Sequence, residues 1–444
     1  MPRKDYLILL GAAAGALSVL VSNPARVSFV GSPAQAVATE GPPTPELFRE
    51  VYQMVHEHYV TSPDDSKLIE GAIKGLMRGL DPHSEYLDAQ TYRTMQEEAH
   101  GVFGGLGLQV AMENGLVKIV STVANSHAGK AGLKPEDMIV GLDGMPVRGL
   151  TINQAIERMR GPVGTTIRLT LRRKDRPEPI EVTVVRDLIR VQTVFPQSIG
   201  GEVGYIKIAK FNDLTAVGLR KALEDLSTRI PANRLRGLIL DLRNNPGGVL
   251  EQAILVASAF LKSGEIVTTR GRNPEDNRLF TAPPTSNDLG KGRPLIVLIN
   301  GGSASAAEIV AGALQDRKRA TVLGTRSFGK GSVQSTSPIG GGGAIKLTTA
   351  FFYTPDGHSI QAKGITPDIE VIQGGPEAQG LRAPTDSEAT LHNHLRGEGE
   401  EQAGLEAYVP FNSKDDKALN MAVDLLRGVK SHLAFPANRT STRN

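Results

Sequence analysis

Three stretches of this chain carry residues that could do chemistry. NGGSASAAEI (residues 300–309) holds Ser303 and Ser305 at the start of an apolar helical run. GTRSFGKGS (residues 324–332) holds Lys330 between glycines. LDLRNNPGG (residues 240–248) is a strand ending in a glycine turn. The lysine stretch departs by one letter from the phosphate-binding pattern G-x-x-x-x-G-K-[ST]: Gly324, Gly329 and Lys330 fit, but Gly331 stands where a hydroxyl would hold magnesium. A phosphate loop must also open a helix, whose N-terminus receives the anion. Here Lys330 is followed by Pro338, four successive glycines and β-branched alternation, so the nucleotide reading is rejected. A lysine can instead serve as general base for a serine nucleophile, provided the amine is neutral. Free lysine titrates near 10.4, and burial lowers that by several units. A serine at a strand-to-helix turn exposes its oxygen, and the helix N-terminus offers N–H donors to an oxyanion. Ser303 and Ser305 both qualify, and N-capping the helix is the structural role open to either. A Ser–His–Asp site would need His358 and Asp356 of TPDGHS. An acid and an imidazole so close in sequence rarely face each other, and the serine motif contains no histidine.

The elements that must position these residues can be read around them. From residue 186 the chain alternates apolar strands, glycine turns and amphipathic helices, with helices at 215–226 and 249–261. This alternation predicts an α/β core with a mostly parallel sheet covered by helices. Turns 244–248, 300–305 and 327–331 then stand at strand carboxyl ends, where sites in such sheets lie. Before this core, residues 47–60, 67–80 and 91–101 show helical spacing, the last stopped by Gly101. His56 and His58 fall on different helix faces and are not expected to be ligands. Residues 101–185 have a different texture: short strands, one beginning near residue 108 and one at 138–142, a helix capped by Thr151 and Gln154, and TIRLTLRRK, which alternates as an edge strand does.

That stretch resembles a PDZ domain. GLGL, made of Gly105, Leu106, Gly107 and Leu108, looks like the family's carboxylate-binding loop, and KAGLKPEDMIVGLDG like its central turn and strand. Successive backbone N–H groups of such a loop can converge on a terminal carboxylate, and the adjacent strand edge can take a peptide as an extra strand. From about residue 47 to 371 the chain resembles the C-terminal processing (tail-specific) serine peptidases, in NGGSASAAEIVAGALQ, GTRSFGKGSVQ, LDLRNNPGGVL and GHSIQAKGITPD. The resemblance implies a nucleophile twenty-five residues before the lysine, which is Ser305. It implies Lys330 as base and Gln334, four residues on, as the group that orients the amine. By position it places the oxyanion donors at the backbone of Ala306 and of Gly248 or Gly247, with Gly248 favoured. It further implies that the PDZ domain controls access to the site. Arg160, in RMRGPVG at the end of the PDZ helix, is the candidate relay. Ala307 stands where many relatives carry a serine.

Composition bounds the rest. The 444 residues contain no cysteine, which excludes a thiol nucleophile, a thiolate metal site and any disulfide. Net charge is +3 without a strongly basic run, so no nucleic-acid partner is indicated. Neither a metal nor an organic cofactor is expected. LHNHL (residues 391–395) has metal-like spacing but lies in a polar stretch expected to be disordered. Arg3 and Lys4 precede an uncharged run of fifteen residues (7–21), and Ala34 and Ala36 make a signal-cleavage pattern. The expected organisation is a signal peptide or N-terminal anchor (1–36), a helical region (44–100), the PDZ domain (101–185), a catalytic core (186–372), a disordered linker (373–405) and a helical tail (406–444). The body would be exported, periplasmic, and on the membrane only if the first segment stays uncleaved. Its partners would be protein or peptide substrates with free apolar C-termini, with an activating adaptor or self-assembly as a further expectation. The alternative is a non-catalytic PDZ adaptor or peptide-binding chaperone, which would need the groove but not Ser305, Lys330 and Gln334 together.

Overall fold

The computed structural model describes residues 42–123, 126–284, 286–374, 386–403 and 405–435. The expected targeting segment lies outside the described residues. Contacts divide the chain into two units, residues 1–68 and 69–444. In the first, α1 (Pro45–His58) starts where Thr44 Oγ1 accepts the Leu47 N–H. His56 and Tyr52 both hydrogen-bond Asp65, at 2.7 and 2.9 Å, which gives that exposed histidine a structural partner. α2 (Asp65–Arg78) crosses from one unit to the next.

In the larger unit, β1 (Glu85–Leu87) leads into α3 (Ala89–His100). Asp88 caps α3, and Gly101, at φ 67°, ends it. β2 (Val102–Gly105) pairs antiparallel with β9 (Asp187–Arg190), and this two-stranded neck brackets the inserted domain. Within the insertion run β3 (Leu108–Glu113), β4 (Leu116–Thr122), β5 (Met138–Leu142), β6 (Met145–Pro146), α4 (Ile152–Met159), β7 (Thr166–Arg172) and β8 (Ile180–Val185). The sheet order is β3-β4-β5-β7-β8, with β6 on β5. Both halves of the Thr151–Gln154 capping box form. One expectation needs correcting: β7 is internal, between β5 and β8. Its alternation reflects one buried face, with Ile167, Leu169 and Leu171 in the core, and says nothing about its neighbours. Arg186 caps the C-terminal end of α4, donating to the carbonyls of Arg158 and Met159.

The core continues with β10 (Val194–Ile199), β11 (Val203–Ile208), α5 (Thr215–Arg229), β12 (Gly237–Asp241), α6 (Leu250–Ser258), β13 (Glu265–Gly271) and β14 (Arg278–Thr281). Then follow β15 (Leu295–Ile299), α7 (Ala306–Asp316), β16 (Thr321–Gly324), β17 (Ser332–Pro338), β18 (Ala344–Tyr353), β19 (Ile369–Glu370) and α8 (Lys417–Arg427). Strands β11, β12, β15, β16 and β19 form a parallel sheet, with β10 antiparallel on β11. Its strands are apolar on both faces, as buried parallel strands are. One face packs Leu238, Leu240, Val297 and Val322 against α5, α6 and α7. The other packs Ile239, Ile296, Leu298 and Leu323 against Ala418, Ala422, Leu425 and Leu426 of α8. A second, antiparallel sheet, β1-β18-β13-β14 with β17 on β18, was not read from the sequence. It pairs β1 with β18 across more than 250 residues, and no local pattern reports such a partner.

The expected linker is also corrected in part. Residues 386–403 are packed against the core, with Ser387 and Glu388 buried. Its polar composition conceals side chains that are satisfied by core groups. Residues 375–385 and 404 lie outside the described residues.

The tail docks through charge as well as apolar area. Arg243, buried at the end of β12, donates to both oxygens of Asp416 at 2.8 Å and to Asp241. Asp416 also caps α8 through the Leu419 N–H. Removing one member of a buried ionic set leaves an uncompensated charge, at a cost of about 3–5 kcal/mol. Asp416→Ala should therefore lower the urea midpoint by that equivalent, whereas Asp415→Ala, which is exposed, should leave it within about 0.5 kcal/mol of wild type.

Candidate active site

Ser305 stands between β15 and α7, as the N-cap of α7. Its backbone sits at φ 53° and ψ −114°, a strained conformation for a residue with a side chain. The strain is held by Glu308, whose Oε2 accepts the Ser305 N–H at 2.7 Å. Glu308 is fully buried and takes three further donors. Oε2 accepts the Lys330 N–H at 3.0 Å, and Oε1 accepts Ser327 Oγ at 2.6 Å and the Gly329 N–H at 2.7 Å. One carboxylate thus fixes the serine turn and the lysine turn together. Burial pushes this carboxyl up to about 7, against the four donors, which pull it down. The donors occupy all four acceptor positions, so a proton on either oxygen would face an N–H or O–H. The residue was missed at the sequence level, although Ser305-x-x-Glu308 is the capping-box spacing.

The two candidate serines separate by their partners. Ser303 is fully buried; its Oγ accepts the Asn300 N–H and donates to the Leu242 carbonyl. Its hydroxyl is committed to joining two strand-end turns. Ser303 also accepts the Phe328 N–H on its own carbonyl, which ties the lysine turn to the serine turn.

The glycine turn after β12 packs directly on Ser305. A Cβ on Gly247 would lie 2.8 Å from Ser305 Cβ, and one on Gly248 would lie 2.0 Å from the Phe211 carbonyl oxygen. With φ of 97° and 138°, both positions suit glycine on conformational grounds as well. The Gly247 N–H donates to Asn245 Oδ1 at 2.9 Å. Among the described residues, nothing accepts from the Gly248 or Ala306 N–H.

Lys330 is largely buried. Burial, with the Lys346 charge beside it, holds its ammonium below the ordinary lysine range, while Glu388, Glu308 and Asp81 pull the other way. Its Nζ has no hydrogen-bond partner among the described residues, Ser305 Oγ included. The expected contact from Gln334 is not made in this structure. Gln334 pairs across the strands with Thr348, and its Nε2 donates to Thr348 Oγ1 at 3.2 Å and Ser332 Oγ at 2.9 Å. Thr348 is in turn held by Asp81 and Ser84. His358 is exposed in a cleft with Gln315, Asp316 and Thr354, away from Ser305, so the histidine triad is not assembled. His394 bonds Glu401 and the Leu391 carbonyl, and no metal-binding group of acidic and histidine residues occurs among the described residues.

In the inserted domain, Gly105 ends β2, Leu106 is buried in the domain core, Gly107 has φ 72°, and Leu108 opens β3. β3 pairs with β4 on one edge and has no strand on the other among the described residues. Leu108 and Val110 of β3 and Ile152 and Ile156 of α4 are half-buried against the domain's apolar core, to which Met159 belongs. Arg160, just past α4, donates to Glu97 of α3 at 3.2 Å and lies 4.5 Å from the Phe103 ring centroid.

A serine at a strained strand-to-helix turn, a largely buried lysine and an inserted domain with an open strand edge fit the class of serine peptidases that carry an inserted domain. Residues 202–371 match the model described as peptidase family S41, and residues 118–173 the model described as PDZ domain. Residues 30–91 match the model described as activating protease CtpB N-terminal domain. The chain is 49% identical over 391 residues to the carboxy-terminal-processing protease of Bartonella bacilliformis, covering 88% of this chain and 89% of that one. It is 34% identical to the carboxy-terminal processing protease CtpA of Bacillus subtilis (82% and 76% covered) and 35% identical to CtpB of that organism (80% and 74%). The chain belongs to the C-terminal processing peptidases of family S41, and it is a serine-type endopeptidase.

Glu308→Gln tests the shared carboxylate. An amide has one acceptor oxygen, so its NH2 would confront the Ser305 and Lys330 N–H groups in one orientation and the Gly329 N–H in the other. The substitution should cost about 2–3 kcal/mol of stability, read by urea unfolding, and lower kcat/KM by about a hundredfold.

Proposed function

We propose that this chain cleaves exported proteins through a Ser–Lys dyad, after capturing their free apolar C-termini in the PDZ groove. The observation that carries the reading is the Glu308 carboxylate, which binds the Ser305 and Lys330 N–H groups at once. Two residues twenty-five apart in sequence are thereby held at one point. Neutral Lys330 takes the proton from Ser305 Oγ, which attacks the scissile carbonyl. The free N–H groups of Ala306 and Gly248 receive the oxyanion; that of Gly247 is committed to Asn245. The amine leaves with the proton from Lys330, and water then releases the acyl group through the same base. These steps call on no metal or organic cofactor.

The open edge of β3 would take the C-terminal segment of the substrate as an added strand, with its carboxylate at Gly105–Leu108. β3 and α4 both carry half-buried apolar side chains, Leu108, Val110, Ile152 and Ile156, which favours an apolar tail. Arg160 joins this domain to α3 and is the proposed relay from an occupied groove to the site. In the arrangement described here Gln334 faces Thr348, so turnover would require Gln334 to turn toward Lys330. Such a step is where a bound peptide, an adaptor or self-assembly would act. The basic and apolar N-terminus supports export to the periplasm, with membrane attachment if it is retained.

Ser305→Ala and Lys330→Ala should each lower cleavage of an unfolded protein with an apolar tail by at least about a thousandfold, with peptide binding unchanged. Retained cleavage in Lys330→Ala would reject the dyad. In the wild type, kcat/KM should rise with pH as the lysine loses its proton, with a midpoint below 10.4. Lys346→Met removes the neighbouring like charge and should move that midpoint upward. Arg160→Ala should reduce cleavage of tailed substrates without weakening capture of the tail; unchanged cleavage would remove Arg160 from the relay.

A further inference from the structure

The lysine turn has a second clamp, opposite Glu308. The Gly331 N–H donates to Gln361 Oε1 at 3.0 Å. Gln361 is fully buried, and its Nε2 donates to Glu388 Oε1 at 2.9 Å and to the Leu395 carbonyl at 2.8 Å. Glu388 itself donates its backbone N–H to the Phe328 carbonyl at 3.1 Å. Its other oxygen meets His83 Nε2 at 2.7 Å. Three successive N–H groups, at 329, 330 and 331, are therefore held by two buried side chains, and one of those takes its orientation from Glu388. An amide can rotate by half a turn; a carboxylate on its NH2 side fixes which end faces Gly331. Glu388 lies beyond the residues that match the peptidase model, 202–371. A carboxylate that is fully buried costs stability unless it is paired, and here Oε1 is paired with Gln361, which holds the lysine turn, and Oε2 with His83.

We propose that Glu388 is a positioning residue for the Lys330 base, setting the turn around the lysine through Gln361 and the Phe328 carbonyl. The inference rests on the Ser–Lys reading above. The titratable groups facing Glu388 are His83, His394 and Lys330; those facing Lys330 are Lys346, Glu308, Asp81 and Glu388. Glu388 thus acts on the lysine by geometry and by charge, and the two effects separate by substitution. Glu388→Ala removes the charge and the side-chain hold on Gln361, and keeps the backbone bond to the Phe328 carbonyl. Glu388→Gln keeps an acceptor for Gln361 and removes only the charge.

The test compares the full-length wild type, Glu388→Ala, Glu388→Gln and Lys330→Ala on a quenched fluorescent peptide with an apolar C-terminal residue. Hydrogen exchange of the segment 326–334 is followed in parallel, which reads the turn whether or not the resting enzyme turns over. Glu388→Ala should lower kcat by about 10- to 100-fold with KM within about threefold, and speed exchange across the turn. Glu388→Gln should recover most of the lost kcat and move the rising limb of kcat/KM to lower pH by about half a unit to one unit. Wild-type kcat and wild-type exchange in Glu388→Ala would overturn the proposal. So would equal losses in both Glu388 variants with a common fall in melting temperature and an unmoved pH limb, which would leave Glu388 a fold residue alone. Activity retained in Lys330→Ala would instead reject the dyad reading, whatever the Glu388 variants do.

Discussion

Everything at the site depends on one buried carboxylate. Glu308 accepts four hydrogen bonds, from Ser305, Ser327, Gly329 and Lys330, on two oxygens that have no water to fall back on. Inside a protein such bonds are strong, and leaving one unmade is expensive. The cost of burying the charge is offset only while both turns stay where they are. This makes the relative placement of Ser305 and Lys330, the proposed nucleophile and base, a matter of backbone hydrogen bonding.

Around that carboxylate the rest of the chain supplies walls. The glycine turn at 247–248 comes close enough to Ser305 that a methyl group would not fit. The turn is fixed from behind by Arg243, whose guanidinium is shared between Asp241 and Asp416 of the tail. The segment from 386 to 403 closes the lysine side through Glu388 and Gln361. Both C-terminal pieces lie outside the span that matches the peptidase family model, yet each touches a turn of the site. The inserted domain is joined through the β2–β9 neck and through Arg160 to α3.

Much of the local structure was legible because it is local. Thr151 and Gln154 form the capping box that their spacing predicts, and Gly101 ends α3 in the left-handed conformation open to glycine. The strand at 138–142 and the helix starting near 45 follow apolar periodicity. Where reading failed, a distant partner had decided. TIRLTLRRK gained a strand on each side, and residues 386–403 gained buried hydrogen bonds from the core despite a polar composition. The second sheet is built by pairing β18 with strands far away in sequence, which periodicity does not register.

The sequence by itself determined the order of strands and turns, the glycines that only a left-handed or crowded backbone can use, and the residue types available for catalysis. Those follow from steric and periodic rules that act over a few residues. It left Ser303 and Ser305 equivalent as chemistry. Tertiary structure separated them: the first gives its hydroxyl to the Leu242 carbonyl, and the second stands strained at the turn. Tertiary structure alone also decided that Glu308 and Glu388 grip the lysine turn, that Gln334 faces Thr348, and that the Gly247 N–H is taken while that of Gly248 is free. Hydrogen bonds between groups far apart in the chain set these outcomes, and such groups meet only when the two sheets and the tail have packed.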